Sequence, residues 1–325
     1  MKAWRLNEIK SPLRMEDIPA PDPSPDQTVV MLRAAAFNRR DYWITQGLYP
    51  NVQMPVTLGS DGAGVDEATG AEVIINPGLG WGDRQVAQSP DYSILGMPTD
   101  GMFAEQVAVP TQNVHPKPEH LNWAEAAALP LAGLTAYRAL VNQGGLQPDE
   151  TVLISGVSGG VATFALQFAV ALGAKVLVTS SSAEKIDKAQ SLGAIAGYDY
   201  RQDDWTQQIL QDHGPVDLII DSAGGDGYAN LVDAAAFGGR IVNYGSTTGP
   251  PKQLDLFKVF WKQLHLIGST MGSPADFEAM LTLIKEEQIR PAIDRVLPFD
   301  QANGAFDCFA QHDQFGKIVL HITEA

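Results

Sequence analysis

The chain has 325 residues, 45% of them hydrophobic, with 22 Lys and Arg against 38 Asp and Glu and a formal charge of -16. That length suggests about two domains, and the acidic balance argues against a nucleic-acid partner held by phosphate contacts. The single cysteine, Cys308, excludes an intrachain disulfide and any multi-cysteine metal site. The opening MKAWRLNEIKSPLRMED scatters its charges and has no apolar core, so it does not read as a secretory signal, and a cytoplasmic protein is expected.

The first 120 residues are rich in turn formers and β-branched fragments. TVVMLRAAAF, AEVIINP and GMFAEQVAVP read as strands by alternation and by their bounding turns. IPAPDPSPDQ (18–27) reads as an extended connector between strands. From LNWAEAAALPLAGLTAYRALV onward the rhythm changes. Asn122 caps a helix, Pro130 interrupts it, and six short apolar strands follow at 152–155, 175–179, 195–200, 216–221, 240–244 and 264–269. Helical stretches such as TFALQFAVAL and AEKIDKAQSLG separate most of them, the pattern of a parallel sheet covered on both faces. The end of the chain reads as a strand (DRVLPF), a helix near QANGAFDCFAQH and a strand (GKIVLHI) that returns to the β-rich first part. Thr151–Ala174 is uncharged, but Gly156, Gly159 and Gly160 break it, leaving too short an apolar run to span a bilayer, so no membrane partner is expected.

The turn GVSGGVA lies between a buried strand, VLIS, and an apolar helix, the context in which a glycine fingerprint carries meaning. Gly156 makes the turn, Ser158, Gly159, Gly160 and Val161 bring backbone N–H groups toward a pyrophosphate at the helix N-terminus, and Ala162 is small enough for helix–sheet packing. An NAD site usually ends its second strand on an Asp or Glu that holds the ribose diol. Here that strand, KVLVT, runs into Ser180, Ser181 and Ser182, with Lys185 beyond and Tyr200 and Arg201 at the end of the next strand. These are donors suited to a 2′-phosphate, so NADPH is the expected cofactor; ordinary surface charge is the competing reading of Lys185 and Arg201.

AAAFNRRDYWITQGLYP, LGSDGAG, AAALPLAGLTAYRAL and FGKIVLHI together resemble the medium-chain dehydrogenase/reductase superfamily, in particular its zinc-independent quinone oxidoreductase branch. The resemblance implies a six-stranded, doubly wound Rossmann sheet in 121–288 for NADP(H). It also implies a mainly β, GroES-like substrate domain in 1–120, completed by 289–325. Asn38 and Thr135 would lie against the nicotinamide, Gly159 and Gly160 at the pyrophosphate, and Ser181, Lys185 and Tyr200 at the 2′-phosphate. Ala223, Gly224, Tyr244, Gly245 and Ser246 would line the rest of the cofactor, with Phe315, Gly316 and Lys317 closing over it. Zinc-dependent members carry a Cys and a His in the segments that here read AAAFNRRDY and LGSDGAG, and neither segment contains one.

Without a Lewis acid, alcohol oxidation is the wrong reaction class, so hydride transfer to a quinone or to the β-carbon of an enone is expected. Tyr42 and Tyr49 are candidate proton donors, or simply packed tyrosines. Trp43, Tyr49, Trp81, Phe257, Trp261 and Met271 are candidates for an apolar pocket wall between the domains, Met271 also beside the cofactor. LDLFKVFWKQL reads more readily as core or dimer surface, and a homodimer joined through the edge strand LHLIGSTM is expected. A protein that keeps NADPH without turnover, and a zinc alcohol dehydrogenase that a chelator would inactivate, are the rival readings.

Overall fold

The computed structural model describes residues 1–322. They form two compact units, one of Met1–Leu134 with the chain from Gly272 onward, the other of Thr135–Met271.

In the second unit, Thr151–Ile154, Lys175–Ser180, Ala196–Asp199, Val216–Asp221, Ala235–Asn243 and His265–Gly268 form one parallel sheet. Counted along the chain, these six strands lie in the order 3-2-1-4-5-6. The middle strands are apolar on both sides because helices cover both faces: Val152, Leu153, Ile154, Val176, Leu177, Val178, Leu218, Ile219 and Ile220 are all fully buried. The helix Gly160–Ala171 is apolar nearly all round for the same reason, and its Phe164 and Phe168 are lost to solvent. Each such side chain contributes roughly 2–3 kcal/mol of burial. All six run parallel, and the order in which strands are added reverses between the first and the fourth, the switch point at whose carboxyl ends nucleotides bind in such sheets.

The first unit is built on a sheet with the order 114–116, 72–75, 61–66, 27–36, 317–321 and 293–298, to which 106–110 also pairs. The strand Lys317–His321 runs antiparallel to Gln27–Ala36, so the end of the chain completes the sheet that its beginning starts. On the other side of Gln27–Ala36 lies Asp61–Asp66, with Asp61 directly opposite Ala36. Phe37 packs on Phe103 with ring centroids 4.3 Å apart at the centre of the core. The segment 18–26 is a coil between strands.

Two helices and the first half of a third group with the first unit although they lie in the 121–288 stretch expected of the nucleotide domain. Trp123–Ala128 starts with a capping box between Asn122 and Glu125, and Pro130–Tyr137 follows it at once. Pro274–Glu286 has a capping box from Ser273 and Asp276 with proline in its first turn, and its Phe277 sits 4.8 Å from the His115 ring. By packing, the boundaries are therefore 134/135 and 271/272. Among the described residues, no helix is long and apolar enough to cross a membrane.

Candidate functional site

In the second unit the glycine turn is tied to the neighbouring strand. Gly156 N donates to Thr179 Oγ1 at 3.1 Å and Val157 N to Thr179 O at 3.0 Å. Gly156 has φ of +63°, which an L side chain rarely adopts, and a Cβ added at Gly156 or Gly159 would meet only open space. The helix starting at Gly160 has Gly159 as its N-cap, without a side-chain cap. Its first N–H groups lack intrahelical acceptors and carry the positive end of the helix dipole. Backbone donors in the open beside a side-chain-free turn suit a pyrophosphate. Ser158, Gly159, Gly160 and Val161 lie at this spot, all partly accessible.

At the end of the second strand Ser180 is buried; its Oγ accepts from Ser182 N at 3.2 Å, and Ser182 caps the helix Ala183–Ser191, accepting from Lys185 N. Ser181 and Lys185 are partly accessible, and Tyr200 is exposed. The structure thus gathers Ser180, Ser181, Lys185 and Tyr200 at one strand-end cluster, across the register pair Ser180–Asp199. Arg201, expected as a further donor to a phosphate, instead holds Asp199 in a fork, with Nε at 3.0 Å and the terminal nitrogen at 2.6 Å. The reason is local, since a carboxylate two residues back is within immediate reach.

The fourth strand ends on Asp221, a residue the sequence reading passed over. Its buried carboxylate accepts from Ser155 Oγ, from Ala223 N at 3.2 Å, from Gly224 N at 2.9 Å and from Asn243 Nδ2 at 3.0 Å. One side chain thereby joins the carboxyl ends of the first, fourth and fifth strands and shapes the loop of Ala223 and Gly224. Beyond the fifth strand, Tyr244 has its hydroxyl held above the usual phenol range by burial, while Gly245 and Ser246 are exposed. Thr135 Oγ1 approaches Met271 Sδ at 3.7 Å, both side chains being buried.

The first unit holds a buried polar cluster at the end of its central strand. Lys317 Nζ donates to Asn38 Oδ1 and to Asp61 Oδ2, each at 2.7 Å, and Asn38 Nδ2 donates to Asp61 Oδ2 at 2.8 Å. Sheet register explains the meeting, because Asp61 stands opposite Ala36 on one side and the strand opening at Lys317 flanks it on the other. Asp61 Oδ1 also accepts from Leu131 N at 2.7 Å, in the first turn of the helix Pro130–Tyr137, where a carboxylate meets a favourable dipole. Asp41, fully buried, accepts from Asn38 N at 2.8 Å. Burial pushes its carboxyl up to about 6, against the opposing pull of Arg40 and Lys317.

The other first-unit residues named from sequence are placed separately. Phe315 N donates to Asp294 Oδ1 at 2.9 Å, and Phe315, Gly316 and Lys317 are buried. Tyr42 and Tyr49 pack against the core, Tyr49 beneath the Arg40 guanidinium at 5.2 Å. Trp81, offered as a pocket wall, is instead the centre of its own small lobe: it is buried, stands edge-on to Tyr92 at 5.3 Å, and its Nε1 donates to Arg84 O at 3.0 Å. The Asp61 role was missed because LGSDGAG shows only a carboxylate among glycines, and its partner lies 256 residues away.

Zinc does not fit this cluster. In the segments where zinc-dependent members place Cys and His, Asn38 and Asp61 are bonded to each other and to an ammonium, and they offer neither thiolate nor imidazole. Among the described residues, no three His, Cys, Asp or Glu side chains group to hold a metal.

Residues 24–119 match the family model described as alcohol dehydrogenase GroES-like domain, and 160–286 that described as zinc-binding dehydrogenase. A zinc-type alcohol dehydrogenase-like protein of Leptosphaeria maculans is 35% identical over 99% of this chain and 98% of its own. An acryloyl-coenzyme A reductase of Sulfurisphaera tokodaii is 28% identical over 98% of this chain and 99% of its own. A crystal structure of an NAD-dependent alcohol dehydrogenase superposes with a TM-score of 0.94 at 34% identity, covering 99% of this chain and 100% of that one.

Proposed function

The chain belongs to the medium-chain dehydrogenase/reductase superfamily of oxidoreductases, and from that premise we propose that it is a zinc-independent, NADPH-dependent reductase of quinones or α,β-unsaturated carbonyl compounds. The observation that carries this reading is the Asn38–Asp61–Lys317 cluster. An alcohol gives up its proton to a dehydrogenase most readily on a Lewis acid, and this donor set is closed by an ammonium. An acceptor that is already electron-poor needs no such help. One relative is named for such a substrate, acryloyl-coenzyme A. Others are named as alcohol dehydrogenases, which is the alternative that the experiment below separates.

When bound, NADPH supplies a hydride to the quinone or to the enone β-carbon. The chain's own residues hold and orient it: Gly156, Ser158, Gly159, Gly160 and Val161 at the pyrophosphate, and Ser180, Ser181, Lys185 and Tyr200 at the 2′-phosphate. Ala223, Gly224, Tyr244, Gly245 and Ser246 line the rest, on a loop that Asp221 shapes. Asn38, Thr135, Met271, Phe315, Gly316 and Lys317 are assigned to the nicotinamide side. The reduced acceptor, an enolate or hydroquinone anion, takes one proton from solvent or from Tyr42 or Tyr49, which balances the two electrons delivered with the hydride.

We also propose a homodimer. The sixth strand is a sheet edge, and beside it the short helix Leu256–Trp261 shows no buried residue. Leu256, Phe257, Phe260 and Trp261 are each more than 60% exposed, with Phe257 stacked on Trp261. An open edge flanked by aromatic surface is a liability that pairing with a second copy removes.

The test is nicotinamide absorbance during turnover of NADPH and NADH against a panel of quinones, enones and alcohols, with and without a chelator. Chelator-resistant oxidation of NADPH by quinones or enones is expected. Chelator-sensitive alcohol oxidation would establish an alcohol dehydrogenase instead, and tight NADPH binding without turnover of any acceptor would indicate a sensor.

A further inference from the structure

The strand-end cluster that the NADPH reading assigns to the 2′-phosphate contains a carboxylate. Asp199 closes the third strand and pairs with Ser180. Its face of the sheet follows from its neighbours. A Cβ at Gly197 would lie 2.3 Å from Ile186 of the helix Ala183–Ser191, so Gly197 faces that helix. Tyr198 points the other way, its hydroxyl donating to Asp212 at 3.0 Å. Two residues beyond Gly197, Asp199 shares the helix face, on the side where Ser182 and Lys185 open that helix. A carboxylate there repels a phosphate and suits the two hydroxyls of an unphosphorylated ribose.

Arg201 neutralises it. Nε lies 3.0 Å and 3.2 Å from the two carboxylate oxygens, the terminal nitrogen 2.6 Å from Oδ2, and the Arg201 backbone N donates to Oδ1 at 3.0 Å. These bonds hold the Asp199 carboxyl down to about 2. The other acid nearby, Glu184, is paired with Lys188 at 2.7 Å.

Resting on the NADPH reading, we propose that Arg201 is a specificity-determining residue: its guanidinium cancels Asp199 and leaves Lys185 to favour a phosphorylated ribose, whereas an uncovered Asp199 favours the plain diol. Cofactor preference then depends on a carboxylate that sits in the cluster but is masked, and a single substitution uncovers it.

The test titrates full-length wild type, Arg201→Ala, Asp199→Asn and the double variant with NADPH and NADH, and with 2′-phospho-AMP and AMP to isolate the adenosine end. Arg201→Ala should weaken NADPH and 2′-phospho-AMP about tenfold or more, as expected for a lost charge-assisted balance, with NADH and AMP unchanged or tighter. The double variant should return NADPH to within about threefold of wild type, since no charge is then left to mask. Equal weakening of NADPH and NADH in Arg201→Ala, or a double variant as weak as Arg201→Ala, overturns the proposal. A wild type that prefers NADPH beside an Arg201→Ala protein that prefers it by the same margin overturns the role of the pair alone. A wild type that binds both cofactors alike overturns the NADPH reading, and the pair's role with it.

Discussion

Replacing Lys317 by methionine tests whether the buried cluster of the first unit is held by charge. The side chain is 3% exposed and its partner Asp61 is 0% exposed. Methionine keeps most of the volume and removes both 2.7 Å bonds, leaving the Asp61 carboxylate with only Leu131 N and Asn38 Nδ2. Breaking a buried pair from one side costs about 3–5 kcal/mol, because the remaining charge is uncompensated. At about 2–4 °C per kcal/mol for a unit of this size, the expected fall in Tm is roughly 6–20 °C. Calorimetry that resolves the two units should show the loss in the transition of the first. The double variant Lys317→Met, Asp61→Asn keeps an acceptor for Leu131 N without a charge, and should recover all but about 1–2 kcal/mol. A loss below about 1 kcal/mol in the single variant, or a double variant no more stable than the single one, would refute the reasoning.

Asp41 sets a pH dependence of stability. Its carboxyl is raised from 3.8 to about 6 by burial, so the native state binds the extra proton between those values. This stabilisation is fully present below about pH 4 and lost as pH rises through about 6. Measured by urea unfolding, the stability of Asp41→Asn relative to wild type should therefore improve by about 1–2 kcal/mol between pH 5 and pH 7.5; a flat difference would show that Asp41 is already ionised at pH 5. Lys185→Ala should weaken NADPH roughly ten- to a hundredfold and hardly touch NADH, the loss of a charged hydrogen bond of about 1.5–3 kcal/mol. Equal effects on both cofactors in a binding titration would remove Lys185 from the phosphate site. If the proposed homodimer forms, Phe257→Ser with Trp261→Ser should leave a monomer in light scattering without altering the fold by circular dichroism; a dimer that persists would place the interface elsewhere, and a monomeric wild type would refute the pairing.

The strands and helices were legible because their signals are local. VLIS, KVLVT and VDLIID are apolar runs between turn residues, Asn122 precedes its helix by one position, and GVSGGVA reads as a strand-to-helix turn from the apolar strand before it and the apolar helix after it. The resemblance of four short segments, spread over the chain, then carried the two-domain fold. What the sequence left open were the side-chain partnerships made at strand ends. Arg201 reads as a free donor until its fork with Asp199 is seen, and Trp81 reads as a pocket wall until it is found at the centre of its own lobe.

The amino-acid sequence by itself therefore determined the alternation of elements, the position of the glycine turn between the first strand of the second unit and its helix, and the absence of Cys and His where zinc ligands stand in related enzymes. Only the tertiary structure decided what replaces them. Asn38, Asp61 and Lys317 lie 23 and 256 residues apart, and nothing in their spacing links them. They meet because Asp61–Asp66 and Lys317–His321 flank the same strand, Gln27–Ala36, and a buried carboxylate there is stable only with a cation beside it. Hydrogen-bonded register between distant strands brings that cation in, and register is a property of the closed sheet rather than of any one segment.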